Sequence, residues 1–279
     1  MARKTAAVLN KSFIPELDDR VEVLLLKCLW AFVFILAVMF NIFVKVTGWH
    51  PGAKPAATIS EDDAANLSTW LRKKYNFTAF VYDFCDMPWE RIYKTLRPQF
   101  VGGLTGKCLD LGVGTGRNLP FFAPNAHVTG VDISKEMIVK ARARAHAPNV
   151  ACTVDALMVA DATDMKGQIP DDAFDAVTAS FLFCVLPDAL QRPAIEEVYR
   201  VLKPGGTFRI IELMQSKNPK QRWYQDMFAP FVEFMYGARF DTKGITKLSI
   251  AQVPGLTLES VEYLNNGDVM LLLIGRKTA

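Results

Sequence analysis

A run of alternating glycines follows the first apolar segment in the middle of the chain, and its spacing indicates ligand binding. Residues 108–118 read CLDLGVGTGRN, with Asp110 before the turn and Gly112, Gly114 and Gly116 inside it. Glycine has no Cβ atom and tolerates positive φ, so the backbone of such a turn can come very close to a bound molecule. In an open α/β sheet, ligands bind at the carboxyl ends of the strands, where this turn is expected to lie.

The spacing separates this turn from two other glycine-rich motifs. A GxGxxG dinucleotide fingerprint beginning at Gly112 would need glycine at Arg117, and one beginning at Gly114 would need glycine at Leu119. A P-loop fails as well, because Cys108 stands where a Ser or Thr is required. Neither motif describes the turn.

Polar and sulfur-containing side chains follow the next two predicted strands. Asp132 ends the run VTGVD, and its carboxylate could accept two hydrogen bonds from a ribose diol. The alternative is an aspartate that caps a helix, although Ser134 supplies a cap of its own. Met137 could cover the face of an adenine ring, and Asp161 with the backbone of Ala162 could bind its edge. These residues predict a nucleotide-like ligand.

The elements that must position these residues alternate between strand and helix. Apolar runs predict strands over residues 107–111, 127–132, 150–159, 174–180, 207–212, 257–264 and 270–276. Residues 62–100 have a helical pattern, which Pro88 is expected to divide into two helices. Five strands separated by helices predict an α/β fold with a parallel sheet, and the last two strands predict a hairpin at one end of it.

An apolar segment near the N-terminus predicts a membrane anchor. Residues 28–44 are 17 consecutive uncharged positions between Lys27 and Lys45. A helix of that length reaches about 25 Å, and snorkelling lysines bring it closer to the roughly 30 Å of bilayer hydrocarbon. The sequence therefore predicts a transmembrane helix over 23–46, with a buried core helix or a cleavable signal as alternatives.

The remaining sequence divides around this segment. Residues 1–22 are expected to form an N-terminal segment, 47–61 a linker, and 62–279 one catalytic-looking domain. The first 15 residues contain three basic side chains and no acid, a weak mitochondrial targeting pattern. We therefore expect a single-pass membrane protein, with the mitochondrial inner membrane as the favoured location.

Composition excludes several classes of protein. A chain of 279 residues that is 51% hydrophobic and 22% charged is neither disordered nor a large multidomain assembly. The net charge of +3 gives no bulk electrostatic attraction to nucleic acid, so no DNA partner is expected. Five widely spaced cysteines without a CxxC pair and three isolated histidines predict neither a disulfide scaffold nor a metal site.

Five segments in order, DLGVGTGRN, VTGVDIS, VADATDM, DDAFDAV and RVLKPGG, resemble the class I S-adenosylmethionine-dependent methyltransferases. The resemblance covers about residues 75–215. It is greatest to the branch that contains ubiquinone and menaquinone C-methyltransferases, bacterial phosphatidylethanolamine N-methyltransferases and membrane-anchored methyltransferase-like proteins. It implies a Rossmann-like sheet of seven strands, mostly parallel with a C-terminal antiparallel hairpin, and S-adenosylmethionine as the cofactor.

The resemblance also implies roles for single residues. Asp110 and the glycines would face the amino-acid part of the cofactor, Asp132 the ribose, and Asp161 the amino edge of adenine. Tyr82 is expected in a helix that covers the cofactor, with Tyr75 as the rival. The full set of implied cofactor-binding residues is Tyr82, Asp110, Gly112, Gly114, Gly116, Asn118, Asp132, Ile133, Met137, Asp161, Ala162 and Phe181.

The acceptor region is expected over residues 217–250, which are dense in aromatic side chains. That density and the predicted anchor favour a hydrophobic small molecule or lipid, such as a quinone precursor or a phospholipid headgroup, as the methyl acceptor. Glu212 and Asp188 are the acids to test as a general base. The alternatives are a methyltransferase acting on protein or RNA, and a methyltransferase-fold subunit with a structural role in a membrane protein complex.

Overall fold

The computed structural model describes residues 19–48, 61–264 and 267–278. The chain divides into two units, Met1–Trp49 and His50–Ala279. The predicted N-terminal segment 1–22 and the linker 47–61 lie mostly outside the described residues, and their boundaries stay predictions.

The first unit contains one long helix, α1, over Asp19–Thr47. The helix forms where residues 23–46 predict one. Across the part of the chain that the structure describes, no helix is both long enough and apolar enough to span a bilayer. The prediction of a transmembrane helix is therefore corrected to a helix of 29 residues.

The second unit is an α/β domain. Its strands are β1 (Gly106–Leu111), β2 (Ala126–Asp132), β3 (Thr153–Val159), β4 (Phe174–Ser180), β5 (Leu202–Leu213), β6 (Leu256–Tyr263) and β7 (Met270–Lys277). Its helices are α2 (Glu61–Cys85), α3 (Met87–Phe100), α4 (Lys135–Ala145), α5 (Asp188–Val201), α6 (Pro219–Tyr236) and α7 (Ile245–Ala251), with a short 3-10 turn at Leu119–Phe121. As predicted, α2 and α3 are separate helices, and a proline lies in the first turn of α3.

The seven strands form one sheet in the order β3-β2-β1-β4-β5-β7-β6. Strands β1 to β5 pair in parallel, whereas β7 pairs antiparallel with both β5 and β6. This arrangement confirms the predicted mostly parallel sheet with antiparallel C-terminal strands. The strand order reverses direction at β1, so β1 and β4 diverge into opposite halves of the sheet and leave a crevice beyond their carboxyl ends.

Two strand boundaries differ from the prediction. β3 begins at Thr153 and not at 150, because a turn in which Val150 N–H donates to Ala147 O precedes it. β5 begins earlier than predicted, at Leu202. The register between β4 and β5 shifts after Phe174, so the KPGG sequence forms an irregular start of the strand.

Side chains that alternate along β1 build a core on each face of the sheet. Leu109 and Leu111 are buried with Ile195 of α5 on one face. Cys108 is buried with Phe100 of α3 on the other face. Because successive residues of a strand point to opposite faces, the apolar run predicted as a strand is buried on both sides.

Candidate functional site

The glycine turn after β1 opens toward a cavity of about 490 Å³ at the carboxyl ends of the strands. Gly112 has φ of 70° and Gly114 has φ of 55°, in the left-handed region that favours glycine. A Cβ atom on Gly112 would lie 3.1 Å from Leu182, whereas one on Gly114 would meet nothing within 4 Å. Gly114 therefore leaves open space beside the backbone, which a ligand could fill.

Gly116 has a structural role in the turn. Its φ of 80° again requires glycine, and a Cβ atom there would lie 3.2 Å from the Cα atom of Ala141 in α4. Gly116 does not line the cavity. The expected approach of this residue to a cofactor stays a prediction, and what the structure shows is that Gly116 lets α4 pack closely on the turn.

Asp110 lies behind the cavity wall, not in it. Its carboxylate is fully buried and accepts hydrogen bonds from Thr178 Oγ1 at 2.8 Å and from Asn118 Nδ2 at 3.1 Å. Burial raises the pKa of Asp110 to about 6, although these hydrogen bonds hold it lower than burial alone would. Asn118 lines the cavity instead. The expected contact between Asp110 and a cofactor ammonium stays a prediction; the structure shows Asn118 between the Asp110 carboxylate and the cavity.

Asp132 stands at the end of β2 and lines the cavity. Its carboxylate accepts hydrogen bonds from Gly114 N–H and Ser134 N–H, each at 2.9 Å. Burial raises the pKa of Asp132 to about 6, and the two backbone hydrogen bonds counteract this rise. Ser134 caps α4 by accepting from Met137 N–H, as predicted, so the Asp132 carboxylate is free of that role.

The other predicted residues surround the same cavity. Asp161 Oδ1 accepts hydrogen bonds from Thr163 N–H at 2.9 Å and Thr163 Oγ1 at 2.7 Å, which fixes the turn after β3. Ten of the twelve predicted cofactor-binding residues line the cavity: Tyr82, Gly112, Gly114, Asn118, Asp132, Ile133, Met137, Asp161, Ala162 and Phe181. The rival Tyr75 lines it too. The structure thus brings them to one place, while the cofactor atoms that each would contact stay predictions.

A second wall of the cavity is apolar and aromatic. It comes from α2, α3 and α6, which includes the aromatic segment expected to cover the acceptor: Leu71, Trp89, Ile92, Tyr93, Tyr224, Phe228, Val232 and Tyr236. Tyr75 Oη donates to Tyr236 O at 2.5 Å, and Lys74 Nζ donates to Glu233 O at 2.7 Å. These two hydrogen bonds join α2 to the C-terminal end of α6.

Sequence reasoning missed a group of charged side chains, the Arg117 cluster, which consists of Asp83, Asp86, Glu90, Arg97 and Arg117. Arg117 lies in the glycine motif and forms ion pairs with Asp83 at 2.9 Å, Asp86 at 2.7 Å and Glu90 at 2.6 Å. Arg97 pairs with Glu90 at 2.8 Å and donates to Asn118 Oδ1 at 2.5 Å. The cluster thereby joins α2 and α3 to the glycine turn.

Burial and charge oppose each other in the Arg117 cluster. Burial raises the pKa of Asp86 to about 7, despite the adjacent Arg117. Burial also acts to raise the pKa of Glu90, but Arg97 and Arg117 outweigh it and hold that pKa below its usual range. Only the position of Arg117 beside the glycines could have drawn attention to it, because its partners lie in separate helices.

Neither predicted general base lines the cavity. Glu212 is 2% exposed, and its Oε1 accepts from Phe183 N–H at 2.9 Å. Burial raises the pKa of Glu212 to about 8. Asp188 lies at the start of α5 and pairs with Arg239 at 3.5 Å. Glu212 therefore holds the loop after β4, and Asp188 stabilises a surface contact.

The sheet order, the glycine turn after β1 and the carboxylate after β2 together define a nucleotide-binding α/β domain. Comparison with known proteins is consistent with this class. Residues 108–206 match the family described as a methyltransferase domain. A ubiquinone/menaquinone biosynthesis C-methyltransferase from Dinoroseobacter shibae is 30% identical over 183 residues, which are 62% of this chain and 69% of that protein. The chain belongs to the S-adenosylmethionine-dependent methyltransferases.

Two further similarities support this assignment. A phosphatidylethanolamine N-methyltransferase from Cereibacter sphaeroides is 35% identical over 115 residues, 41% of this chain and 54% of that protein. The solved structure of a DhpI–SAH complex has the same fold, with a TM-score of 0.56 and 20% identity over 76% of this chain and 97% of that one. The chain spans about half the length of the phosphatidylethanolamine N-methyltransferase and of a ubiquinone/menaquinone biosynthesis C-methyltransferase from the same organism. Family membership confirms the expectation of a methyltransferase domain with S-adenosylmethionine as its cofactor.

Proposed function

We propose that the protein transfers the methyl group of S-adenosylmethionine to a lipid or another hydrophobic small molecule. The single observation that carries this proposal is that both groups of residues line the same cavity. One cavity of about 490 Å³ joins the glycine turn and Asp132 to the aromatic wall of α2, α3 and α6. A cofactor and an apolar acceptor could therefore meet in a space from which bulk water is largely displaced.

The cavity residues at the carboxyl ends of the strands, which form its first wall, fit the cofactor. Gly114 leaves the space that a side chain would fill, and Asp132 presents carboxylate oxygens next to it for a ribose diol. Ile133 and Met137 add apolar surface for an adenine ring. The bound cofactor supplies a methyl group on a positively charged sulfur, which is an electrophilic carbon.

The residues of the chain position the reactants for an in-line displacement. When bound there, the cofactor would supply its methyl carbon to an electron pair of the acceptor and keep the electrons of the broken sulfur–methyl bond on sulfur, and the acceptor would release its proton to solvent. Such a reaction depends on alignment more than on acid or base catalysis. Phe181 and Tyr93 stack with ring centroids 4.6 Å apart and fix the surface between the two walls.

The cofactor half of the proposal is tested by equilibrium binding of S-adenosylmethionine to the full chain. We expect Asp132→Ala to weaken binding at least a hundredfold, because two charge-assisted hydrogen bonds to the ribose are lost (~1.5–3 kcal/mol each). Asp155→Ala is the matched control, since Asp155 is 41% exposed and pairs with His127 away from the cavity. Equal affinity of the two variants would contradict the assigned site.

We also propose that the first unit associates with lipid bilayers. Large apolar side chains of α1 support this, since Phe32, Ile35 and Met39 are each more than half exposed. Sedimentation of the full chain with phosphatidylcholine vesicles tests the association, and a chain that stays in the supernatant rejects it. A mitochondrial location and membership of a membrane complex stay predictions.

A further inference from the structure

The hydroxyl groups of Tyr82 and Tyr93 have no hydrogen-bond partner in the parts of the chain that the structure describes. Tyr82 of α2 and Tyr93 of α3 both line the cavity. Among the described residues, neither hydroxyl forms a hydrogen bond, in contrast to the hydroxyl of Tyr75, which donates to Tyr236 O. A polar group that faces an apolar cavity without a partner costs free energy, and a ligand oxygen would recover it.

The cationic side chains that line the cavity already have ion-pair partners among the described residues. Within the described parts of the chain, Arg97 and Arg117 are the cationic side chains that line the cavity. Arg117 pairs with three carboxylates, and Arg97 pairs with Glu90. A phosphate group in the cavity would have to break these buried ion pairs, so the site opposes an anionic headgroup.

The ring of Tyr93 is held in place by its neighbours. It stacks on Phe181 at a tilt of 39°. Phe181 has φ of 56°, an unusual conformation for a residue other than glycine, and its N–H donates to Ile211 O at 2.9 Å. Burial raises the pKa of Tyr93 well above its ordinary value, so the hydroxyl keeps its proton and can donate it. The Tyr93 hydroxyl is a neutral hydrogen-bond donor at the junction of the two walls. It therefore favours a ligand that has a hydrogen-bond-accepting atom at that point.

We propose that Tyr93 is a specificity-determining residue whose hydroxyl binds an oxygen atom of an uncharged, apolar acceptor. The site thereby prefers a neutral molecule with a hydroxyl or carbonyl group and an apolar tail to a charged phospholipid. This inference rests on the proposed function and narrows its acceptor class. Tyr82 offers a second hydroxyl on the neighbouring helix.

The test compares two probes that differ only in their oxygen atoms, decyl-1,4-hydroquinone and decylbenzene, by equilibrium dialysis against the full chain. We expect wild-type protein to bind the hydroquinone more tightly, and Tyr93→Phe to weaken that binding about fivefold, the value of one neutral hydrogen bond. Binding of decylbenzene to Tyr93→Phe should not change. Tyr263→Phe is the control, because Tyr263 is 48% exposed on β6 and does not line the cavity.

Three results would overturn the inference: equal affinity of wild-type protein for the two probes, an unchanged hydroquinone affinity in Tyr93→Phe, or displacement of the hydroquinone by an equal concentration of phosphatidylethanolamine. The affinity for S-adenosylmethionine is measured in the same samples. If wild-type protein does not bind S-adenosylmethionine, the proposed function is contradicted. The ratio of the affinities for decyl-1,4-hydroquinone and decylbenzene decides only the role of Tyr93. Equal thermal melting of Tyr93→Phe and wild type shows that both are folded.

Discussion

Replacing Arg117 by methionine removes the charge that joins the glycine turn to α2 and α3. The Arg117 side chain is 10% exposed, and it pairs with Asp86 and Glu90 side chains that are 10% and 9% exposed. Methionine keeps much of the aliphatic volume, so the main effect is electrostatic. Removing one partner of a buried ion pair costs more than the pair itself contributes, because the other charge stays buried without compensation.

The magnitude depends on which carboxylates keep a cation. Asp83 is 34% exposed and still has Arg144 at 3.4 Å, and Glu90 still has Arg97 at 2.8 Å. Among the described residues, Asp86 alone loses its direct ion-pair partner. One uncompensated buried carboxylate corresponds to the lower end of the usual range, so we expect Arg117→Met to lower the free energy of unfolding by about 3 kcal/mol at pH 8.

The effect should depend on pH in a defined direction. Burial already raises the pKa of Asp86 to about 7 with Arg117 present, and losing Arg117 raises it further. A carboxyl group whose pKa is higher in the folded than in the unfolded chain loses stability as pH rises from its unfolded pKa through its folded pKa. The loss in Arg117→Met should therefore be about 1–2 kcal/mol smaller at pH 6 than at pH 8.

Urea denaturation of the full chain at both pH values measures these changes. The matched control is Arg192→Met, because the Arg192–Glu196 pair on α5 is about half exposed and should change stability by less than about 0.5 kcal/mol. The double variant Arg117→Met/Asp86→Asn should recover part of the loss. An Arg117→Met variant as stable as Arg192→Met, or one destabilised more at pH 6 than at pH 8, would refute the reasoning.

Two further predictions concern backbone and buried acid. Gly116→Ala should lower the free energy of unfolding by about 1–3 kcal/mol, because a Cβ atom there combines positive φ with a contact of 3.2 Å to Ala141. Gly167→Ala is the control, since Gly167 also has positive φ but open space around it, and it should lower the free energy of unfolding less in the same urea titration. Since burial raises the pKa of Glu212 to about 8, the wild type loses stability as pH rises from about 4.5 through 8. Glu212→Gln should keep the hydrogen bond to Phe183 N–H and remove that loss, so its melting temperature relative to wild type should rise between pH 6 and pH 9; a constant difference would contradict the assignment.

The sheet could be predicted from the sequence because its signals are local. Apolar runs such as 127–132 and 174–180 are strands with nearly the predicted bounds, and the glycines after β1 are where a left-handed turn needs them. The start of β5 was placed too late, because the KPGG sequence has the composition of a turn but pairs with β4 through a shifted register.

The parts that sequence could not give depend on contacts between distant residues. The role of Asp110 depends on Asn118 and Thr178, whose side chains occupy its carboxylate. Arg117 meets its partners only after α2 and α3 pack on the glycine turn. The transmembrane prediction was based on hydropathy over a marginal length, and hydropathy alone does not separate such a helix from other apolar helices.

The most direct test of the proposed function is the transfer of a labelled methyl group. The purified full chain is incubated with methyl-labelled S-adenosylmethionine and a total membrane extract, and the products are separated into lipid, protein and RNA fractions. We predict label in the lipid fraction with wild-type protein and its loss with Asp132→Ala. Label in the protein or RNA fraction, or no transfer to any fraction, would contradict the proposed function.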